Sequence, residues 1–360
     1  MAFNENVGWM DDIFDMPEKD AISKIIAMKK SYGEKVVILG HHYQRNEIIN
    51  LSDFIGDSLE LSRVASMQEK ASYIVFCGVH FMAESAAILC RSDQSVILPE
   101  KSAGCPMADM ATLRQVESVW KEIIAVKGID SVIPITYMNS SADIKAFCGE
   151  HGGAICTSSN AKAVVQWALN QNKDVLFMPD EHLGRNTSNA LGIDRDKVIV
   201  WDPKNTLGGI TKESVKKANI ILWKGYCHVH THFSVDHVKQ MREEHPDAKI
   251  IVHPECKEEV VNMADAAGST GFIVKYVREA PAGSTIIIGT EINLISRLAD
   301  AYPDKKILEL DRSLCPNMFK INPYNLYYTM LNLGEVNVVK VSDEVKEKAR
   351  TALRRMLEIL

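Results

Sequence analysis

The fold of this chain is organised around Ile220-Ile-Leu-Trp-Lys-Gly-Tyr-Cys227-His-Val-His230-Thr-His-Phe233. Its first four residues are apolar and predict a buried β-strand, and Gly225 allows a turn directly after it. One cysteine and three histidines then fall within six residues. Both residue types are common metal ligands, and α/β proteins place their chemistry in loops at the carboxyl ends of strands. The stretch therefore predicts an α/β fold with a functional loop here, whose partner residues come from elsewhere in the chain.

Apolar runs and helical segments alternate from about Lys35 to the C-terminus. The runs are apolar throughout, which is typical of parallel strands that are covered on both faces. Amphipathic helices are predicted between them, for example at Ala161–Asn170 and Lys257–Ala267, and a terminal helix at Asp343–Leu360. The predicted strands are Val36–Leu39, Tyr73–Cys77, Val96–Leu98, Val132–Tyr137, Gly153–Cys156, Val175–Met178, Val198–Trp201, Ile220–Trp223, Ile250–Val252, Thr270–Val274, Ile286–Ile288 and Lys306–Leu308.

Polar residues follow these strands in three successive blocks. The pattern predicts an α/β protein built from three similar α/β/α units with short parallel sheets, whose strand ends point at a shared centre. The predicted units are residues 1–112, 113–216 and 217–315, with the C-terminal segment 316–360 packing on the first. An eight-stranded α/β barrel is the alternative fold, but it would leave about four strands over.

Composition limits the classes of function. The net charge is −6 and the sequence pI is near 6.0, so there is no basic surface for nucleic acid. No apolar run approaches the length of a membrane span, and the acidic N-terminus (Met1–Asp20) does not resemble a signal peptide. We therefore expect a cytoplasmic protein that acts on small molecules, with no nucleic acid and no membrane as partners.

The eight cysteines fall into two classes by their sequence context. Cys77, Cys90, Cys148, Cys156 and Cys256 lie in or beside apolar runs and are expected to be buried in the core.

The remaining three lie in turns: Cys105 within Ala-Gly-Cys-Pro-Met, Cys227 after Gly225, and Cys315 before Pro316. These three are the candidates for a shared metal site, and a role as small buried residues is the alternative. Structural zinc sites and electron-transfer clusters usually have four protein ligands, whereas three thiolates on a [4Fe–4S] cluster leave one iron open to act as a Lewis acid in a dehydration.

Two further sets of side chains lie at predicted strand or helix ends. Candidates for acid–base chemistry are His41, Tyr43, Tyr137, His230, His253 and Glu255. Hydroxyls that could bind phosphate or carboxylate at helix starts are Ser58, Ser158, Ser159, Ser269 and Thr270, for which plain N-capping is the alternative. No phosphate-binding P-loop or dinucleotide GxGxxG pattern is present.

Taken together, these stretches resemble the quinolinate synthase family. Motifs that carry the resemblance occur in the family's order from about residue 35 to residue 320. They include His41-His-Tyr-Gln44, Gly56-Asp-Ser-Leu-Glu60, Ala103-Gly-Cys-Pro-Met-Ala-Asp109, Tyr137-Met-Asn-Ser-Ser-Ala142, Cys156-Thr-Ser-Ser-Asn-Ala161, Pro179-Asp-Glu-His-Leu-Gly-Arg185, Cys227-His-Val-His230, His253-Pro-Glu-Cys256, Gly268-Ser-Thr270 and Cys315-Pro-Asn-Met318.

The resemblance implies three units around a pseudo-threefold centre that holds a [4Fe–4S] cluster. It implies the condensation of iminosuccinate (iminoaspartate) with dihydroxyacetone phosphate to quinolinate, with release of phosphate and two waters, in the biosynthesis of NAD. A transient contact with L-aspartate oxidase is a further expectation.

By position, Cys105, Cys227 and Cys315 match the cluster ligands. The matching substrate-pocket residues are His41, Ser58, Tyr137, Met138, Asn139, Ser158, His230, His253, Pro254, Glu255 and Thr270, and catalytic roles are expected for Tyr43, Tyr137, Glu255 and His41.

The chain departs from the family pattern at three places, one of which is the stretch Phe147–Gly153, a few residues longer than expected. Some members carry a CxxCxxC run at the last ligand, where this chain has Glu309 and Arg312 at the two earlier positions. Thr231 stands where an acidic residue is common. Between Ser158 and its neighbour Ser159, the sequence leaves open which one is the ligand.

Two other functions remain as alternatives on the residues alone. His228 and His230 could form the two-histidine motif of a zinc hydrolase, which would not need the cysteines. A non-catalytic iron–sulfur sensor would instead have a cavity without acid–base groups.

Overall fold

Three short parallel sheets form the framework of the protein. The structure, a computed structural model, describes Ile13 and residues 15–359. Most of the N-terminal stretch discussed above and the predicted helix end at Leu360 therefore lie outside the described residues. The strands are β1 (Val36–His41), β2 (Phe54–Gly56), β3 (Tyr73–Cys77), β4 (Ser95–Ile97), β5 (Val132–Tyr137), β6 (Ala154–Cys156), β7 (Asp174–Met178), β8 (Val198–Trp201), β9 (Ile220–Trp223), β10 (Lys249–Val252), β11 (Ala266–Ala267), β12 (Thr285–Gly289) and β13 (Lys306–Glu309).

Helices connect and cover these strands. They are α1 (Glu18–Tyr32), α2 (Asn46–Ile49), α3 (Ser58–Ser66), α4 (His80–Leu89), α5 (Leu113–Lys127), α6 (Ala142–Glu150), α7 (Ala161–Leu169), α8 (Glu181–Ala190), α9 (Lys212–Lys217), α10 (His228–Thr231), α11 (Val235–Glu244), α12 (Glu258–Met263), α13 (Thr270–Glu279), α14 (Ile292–Ala301), α15 (Pro316–Phe319), α16 (Pro323–Leu331) and α17 (Asp343–Glu358). Among them, no helix of the described chain is long and apolar enough to span a bilayer.

Two of the sheets have the strand order 2-1-3-4 and the five-stranded sheet begins with the same order, 2-1-3, which is consistent with three similar α/β/α units. Their strand orders are β2-β1-β3-β4, β6-β5-β7-β9-β8 and β11-β10-β12-β13, and every pairing between these strands is parallel. Central strands such as β1 and β5 are buried along their whole length. The continuous apolar runs are thus explained by cover on both faces. The described sheets are open, so the eight-stranded barrel is excluded.

The described chain divides into two compact units. The first contains the β1–β4 sheet and consists of the described residues up to Gly56, Glu60–Gly104 and Pro316–Lys340. Helix α1 packs on α16 in this unit, and an antiparallel bridge joins Ile97 to Val338. A capping box of Asn322 and Asn325 begins α16.

The second compact unit contains the other two sheets. It consists of Asp57–Leu59, Cys105–Cys315 and the described residues from Val341 onward. An apolar cluster that includes Phe233, Ile250, Cys256 and Ile287 packs around the β10–β13 sheet. The carboxyl ends of both sheets in this unit carry the polar loops described below.

The unit boundaries differ from those predicted at two places. Strand β9 was assigned to the third unit, but it pairs with β7 and β8 in the five-stranded sheet. The segment 316–360 was expected to pack on the first unit, and residues 316–340 belong to the compact unit that contains the β1–β4 sheet. The terminal helix α17 instead packs on α6 and β6. Here Asn160 Nδ2 donates to the Met356 carbonyl over 3.0 Å, and the Arg355 guanidinium donates to the Gly153 carbonyl.

Eleven of the twelve predicted strands are confirmed, and Thr270–Val274 is wrong because these residues begin helix α13. Ile273 and Val277 are buried four residues apart, whereas Phe272 is exposed, which is a helical rather than an alternating pattern. Ser269 caps this helix by accepting from the Phe272 N–H over 3.3 Å. The short edge strands β2 and β11 were not predicted, and β11 interrupts the helix predicted at Lys257–Ala267.

Gly149 provides a test of how α17 is seated. A Cβ added at this position of α6 would lie 1.9 Å from the Lys348 carbonyl oxygen of α17. Helix propensity alone would make Gly149→Ala stabilising by about 1 kcal/mol. We expect the opposite sign, a destabilisation of about 2 kcal/mol or more, because backbone must move to relieve the overlap. Urea unfolding monitored by circular dichroism measures the difference.

Glu150→Ala is the matched control one residue further on. Its carboxylate pairs with Lys348 Nζ at 3.2 Å on the surface, so its removal should change the free energy of unfolding by less than about 1 kcal/mol. A Gly149→Ala protein as stable as the parent would show that α17 does not depend on this close approach.

Candidate active site

A buried pair of His230 and Glu255 lies at the centre of the candidate site. His230 is in α10, directly after β9, and Glu255 is in the loop after β10. Nδ1 of His230 lies 2.6 Å from Oε2 of Glu255, and both residues are 2 % exposed. The other ring nitrogen, Nε2, lies 3.1 Å from the Thr290 hydroxyl after β12. Two sheets therefore contribute to one hydrogen-bonded group.

The electrostatic environment keeps Glu255 ionised. Burial is the largest single effect and would raise the pKa of this carboxyl, but the electrostatic effects of the neighbouring His230 and His253 rings oppose it. Hydrogen bonds from the His230 ring and from the Tyr137 hydroxyl act in the same direction, and the pKa falls to about 2. An ionised carboxylate accepts hydrogen bonds only, so Nδ1 of His230 carries the proton between them.

His253 is held as a neutral imidazole. Its ring stacks on that of His230 with centroids 4.2 Å apart. Nδ1 accepts the backbone N–H of Glu255 at 3.3 Å, which leaves Nε2–H to donate to Ser158 Oγ at 3.3 Å. Burial and the charge of His230 lower the pKa of His253 to about 3. The ring is therefore a hydrogen-bond donor towards Ser158 at neutral pH.

The loop after β5 supplies further predicted residues. Tyr137 ends this buried strand, Met138 is fully buried, and Asn139 is half-buried. The Met138 N–H donates to the Cys156 carbonyl over 2.8 Å, and the Lys145 ammonium donates to the Ser140 carbonyl over 2.5 Å. The first bond attaches the loop to the end of β6 and the second attaches it to α6, so Tyr137 is held beside Glu255.

The two serines that the sequence could not distinguish have different neighbours. Ser158 faces His253, as described above. Ser159 is exposed, and its hydroxyl donates to Asp57 Oδ2 over 2.7 Å, next to Ser58. Ser158 is therefore the one that joins the histidine group. Ser58 and Thr270 are the first residues of α3 and α13, and Pro254 lies between His253 and Glu255.

The cysteines separate into the two predicted classes. Cys77, Cys90, Cys148, Cys156 and Cys256 are buried, whereas Cys105, Cys227 and Cys315 are only half-buried. The Cys227 sulfur belongs to a group with His230 and Glu255 in which one ligand atom from each residue lies within 4.8 Å of the others. Burial raises the pKa of the Cys105 thiol to about 12, and the charges of Cys315 and Glu255 act in the same direction. Burial, Glu255 and Cys105 raise the pKa of Cys227 well above its usual value.

His41 and Tyr43 lie in the first compact unit, at the carboxyl end of β1. Their rings meet edge to face with centroids 4.8 Å apart, and the Tyr43 N–H donates to Nδ1 of His41 over 3.2 Å. His41 is buried and Tyr43 is half-buried. They form a local pair at one strand end.

Comparison with known proteins identifies the family. The sequence model of the quinolinate synthetase A protein family matches residues 23–358. The chain belongs to this family.

Its relatives in the quinolinate synthetase A family match it over nearly its whole length. Quinolinate synthase of Corynebacterium glutamicum is 50% identical over 342 residues, which cover 94% of this chain and 87% of that protein. The enzyme of Acidobacterium capsulatum is 49% identical over 358 residues, or 97% of this chain and 96% of that protein. The enzyme of Herpetosiphon aurantiacus is 50% identical over 357 residues, or 97% and 95%.

Two residues of this family member were not predicted as part of the site. Thr290 bonds the outer nitrogen of His230, and Asp180 follows β7. Asp180 caps α8, since its Oδ1 accepts from the Leu183 N–H over 2.6 Å. The carboxylate also accepts from the Cys227 N–H. Its Oδ2 has no hydrogen-bond partner among the described residues by distance and angle. Burial, followed by the charge of Glu255, raises its pKa well above the usual value. Both residues occupy the position just after a strand end, which was the available sequence signal.

The two-histidine zinc motif considered above is not assembled. His228 is exposed, while His230 points to Glu255 and Thr290. Within the described residues, neither group of three candidate metal ligands includes His228. The acid–base residues gathered around Glu255 also disfavour a purely structural scaffold.

The buried neutral ring of His253 predicts a pH-dependent stability. The pKa of His253 is about 3 in the folded chain, whereas an imidazole exposed to water has a pKa near 6.5. On acidification the unfolded chain is therefore protonated at this residue before the folded chain is. The stabilisation is complete above pH 6.5 and is lost as the pH falls towards 3. Between pH 7 and pH 5, protonation linked to His253 should lower the free energy of unfolding of the metal-free parent by up to about 2 kcal/mol. In His253→Gln this part of the decrease should be absent. Urea unfolding at each pH measures it.

His245→Gln, after α11, is the control for this experiment and should follow the parent profile. The comparison uses the slope with pH, so a general loss of stability in either variant does not affect it. Parallel pH profiles for the parent and His253→Gln would contradict the assignment of a neutral buried ring.

Proposed function

We propose that this chain is a quinolinate synthase that condenses iminosuccinate with dihydroxyacetone phosphate in the biosynthesis of NAD. Atoms balance when quinolinate, one phosphate and two waters are the products. The proposal is supported by the family match and by about half of the residues being identical to curated enzymes over nearly the whole chain. The observation that carries it is the buried group of His230, Glu255 and Tyr137 beside the half-buried Cys227.

The donor set fits a cluster with three thiolate ligands. The Cys105 sulfur accepts hydrogen bonds from the backbone N–H groups of Met107 and Ala108, and the Cys227 sulfur accepts from that of His230. Such bonds are typical of metal-bound thiolates. Without a cation, burial and mutual repulsion disfavour charge on these sulfurs. Together with Cys315 they would hold the [4Fe–4S] cluster that the resemblance implies, in an arrangement around a pseudo-threefold centre.

A bound cluster of this kind supplies an open iron that polarises substrate oxygen or nitrogen and assists the departure of hydroxide. Glu255 lies beside Cys227 and is ionised, so it is suited to accept a proton from substrate carbon or oxygen. His230 donates its Nδ1 proton to Glu255 in a 2.6 Å hydrogen bond. This bond would stabilise the Glu255 carboxylate before and after a proton is transferred. Tyr137, through its hydroxyl, completes the acid–base group.

Both substrates are anionic, and the chain offers hydroxyls and helix starts to bind them. Ser158, backed by the His253 ring, and Thr270 at the start of α13 are suited to carboxylate or phosphate oxygens. Ser58 at the start of α3 has the same character. Asn139, Met138 and Pro254 would position the carbon skeleton and exclude water.

We further propose that His41 and Tyr43 serve a second proton-transfer step. The residue-by-residue family match supports this role, together with the edge-to-face contact that orders the two rings at the end of β1. The contact with the His41 ring can keep the Tyr43 phenol oriented for exchange of a proton with substrate.

We also propose that the enzyme works in the cytoplasm, where its substrate imine is supplied by L-aspartate oxidase. An imine hydrolyses in water, so transient contact with the enzyme that produces it would shorten its exposure. The net charge of −6 gives no support to a nucleic-acid partner.

The cysteine assignment predicts which variants lose the cluster. Anaerobically purified parent should contain about four irons and four sulfides per chain. Cys105→Ala, Cys227→Ala and Cys315→Ala should each lose them, because each removes one of three thiolate ligands. Cys256→Ala is the control, since this buried thiol lies in the apolar core and faces the Gly289 carbonyl at 3.9 Å. A parent with stoichiometric zinc and no sulfide would overturn the cluster proposal.

Glu255→Gln predicts a separation of activity from metal binding. The amide keeps the size and a hydrogen-bond acceptor but cannot take a proton, so we expect turnover to fall by about 10²-fold or more. Iron and sulfide content should remain at the parent level. The assay measures quinolinate formed from the two substrates under anaerobic conditions.

Glu258→Gln is the matched control three residues further on. Its carboxylate pairs with Arg195 at 2.7 Å on the surface, so turnover should remain at the parent level. Full activity in Glu255→Gln would remove this carboxylate from the mechanism.

A further inference from the structure

A second group of ligand-type side chains lies outside the proposed catalytic group. It consists of His232, His237 and Asp311, which we call the His–His–Asp cluster. His232 follows α10, His237 lies in α11, and Asp311 follows β13. In the described part of the chain, it is one of two such groups, the other being that of Cys227.

The ligand atoms of the cluster are nearly as close to one another as ligand atoms that share one cation. Nε2 of His232 lies 2.5 Å from Oδ2 of Asp311, and Nε2 of His237 lies 3.8 Å from the same oxygen. One ligand atom from each residue lies within 4.8 Å of the others. Metal–ligand bonds near 2.1 Å in a tetrahedral site separate neighbouring ligand atoms by about 3.4 Å. A cation at the centre thus requires shifts of about 1 Å in half-exposed side chains.

The hydrogen bonding of His237 leaves its Nε2 available to bind a cation. Its Nε2 faces Asp311 at a distance that is too long for a hydrogen bond. Its Nδ1 is buried and has no hydrogen-bond partner among the described residues. The ring of His232, 5.6 Å away between centroids, is also directed at Asp311. A cation would satisfy the His237 Nε2, which none of the described side chains meets at hydrogen-bond distance.

The ligand set selects the class of cation. Two imidazole nitrogens and one carboxylate suit zinc and similar divalent transition metals, whereas magnesium and calcium prefer sites made of oxygen. The three side chains are between 29% and 44% exposed, which leaves a fourth position open to water.

We propose that His232, His237 and Asp311 form a binding site for one divalent cation of the zinc class, separate from the three-cysteine site. The cation would join the segment that follows Cys227 to the segment that leads into Cys315. These segments are already linked by Ser313, whose hydroxyl donates to the Val229 carbonyl over 2.7 Å. His232 and Asp311 also join them through their direct contact. Occupancy would add metal–ligand bonds to these links and stabilise the folded chain.

Zinc binding to the anaerobically purified holoprotein tests the proposal. After equilibrium dialysis against micromolar zinc chloride, zinc, iron and sulfide are measured per chain. The parent should bind about one zinc in addition to its iron. His237→Ala and Asp311→Asn should weaken zinc binding by at least about tenfold, with iron unchanged. His245→Ala is the control, and should bind zinc as the parent does.

A second readout guards against variants that are simply less stable. Zinc should raise the thermal unfolding midpoint of the parent and of His245→Ala, but not that of His237→Ala or Asp311→Asn, each compared with itself without zinc.

Equal zinc binding by the parent and His237→Ala would overturn the proposal. Zinc uptake that disappears in Cys105→Ala and Cys315→Ala would also overturn it, by assigning the zinc to sulfur ligands. Failure of the quinolinate assay has no bearing on either result, so this proposal and the proposed function fail independently.

Discussion

The hydrogen bond between His230 and Glu255 is the interaction around which the site is built. A carboxylate withdrawn from water is costly unless it is paired and hydrogen-bonded. Glu255 obtains these partners from His230 after β9 and from Tyr137 at the end of β5, while Thr290 after β12 holds the far side of His230. The strands of two sheets must end at this one place for the charge to be accommodated. Buried ion pairs add little to stability, so such an arrangement is best understood as serving chemistry.

Parallel sheets explain why the polar groups occur where they do. Strands such as β5 and β12 are covered on both faces, so a polar side chain within them must find its partner inside the protein, as the Thr136 hydroxyl does at the Tyr137 carbonyl. The first residues after the strands are released from this constraint while the sheet still fixes their position. Tyr137, His253, Thr290 and Asp180 all lie at or just after such ends. Burial on both faces therefore explains both the apolar strands and the polar residues that follow their carboxyl ends.

Cysteine and histidine each have two roles in this chain. Cys256 is part of the apolar core, whereas Cys227 is half-buried among charged groups. His253 is stacked, buried and neutral, whereas His237 faces an exposed carboxylate without a hydrogen bond. Side-chain chemistry is the same within each pair. The surroundings decide whether a thiol or an imidazole packs, donates a proton or is available to a cation.

The sequence by itself determined the local features of this protein. The apolar runs indicated eleven strands, the turn residues around Cys105 and Cys315 separated them from core cysteines, and ordered motifs indicated the family. These features depend on neighbouring residues, whose preferences are short-ranged. Only the tertiary structure decided that β9 joins the five-stranded sheet, that Ser158 faces His253, and that Asp311 meets His237. Strand pairing and contacts between distant segments depend on packing across the whole unit, which no local pattern encodes.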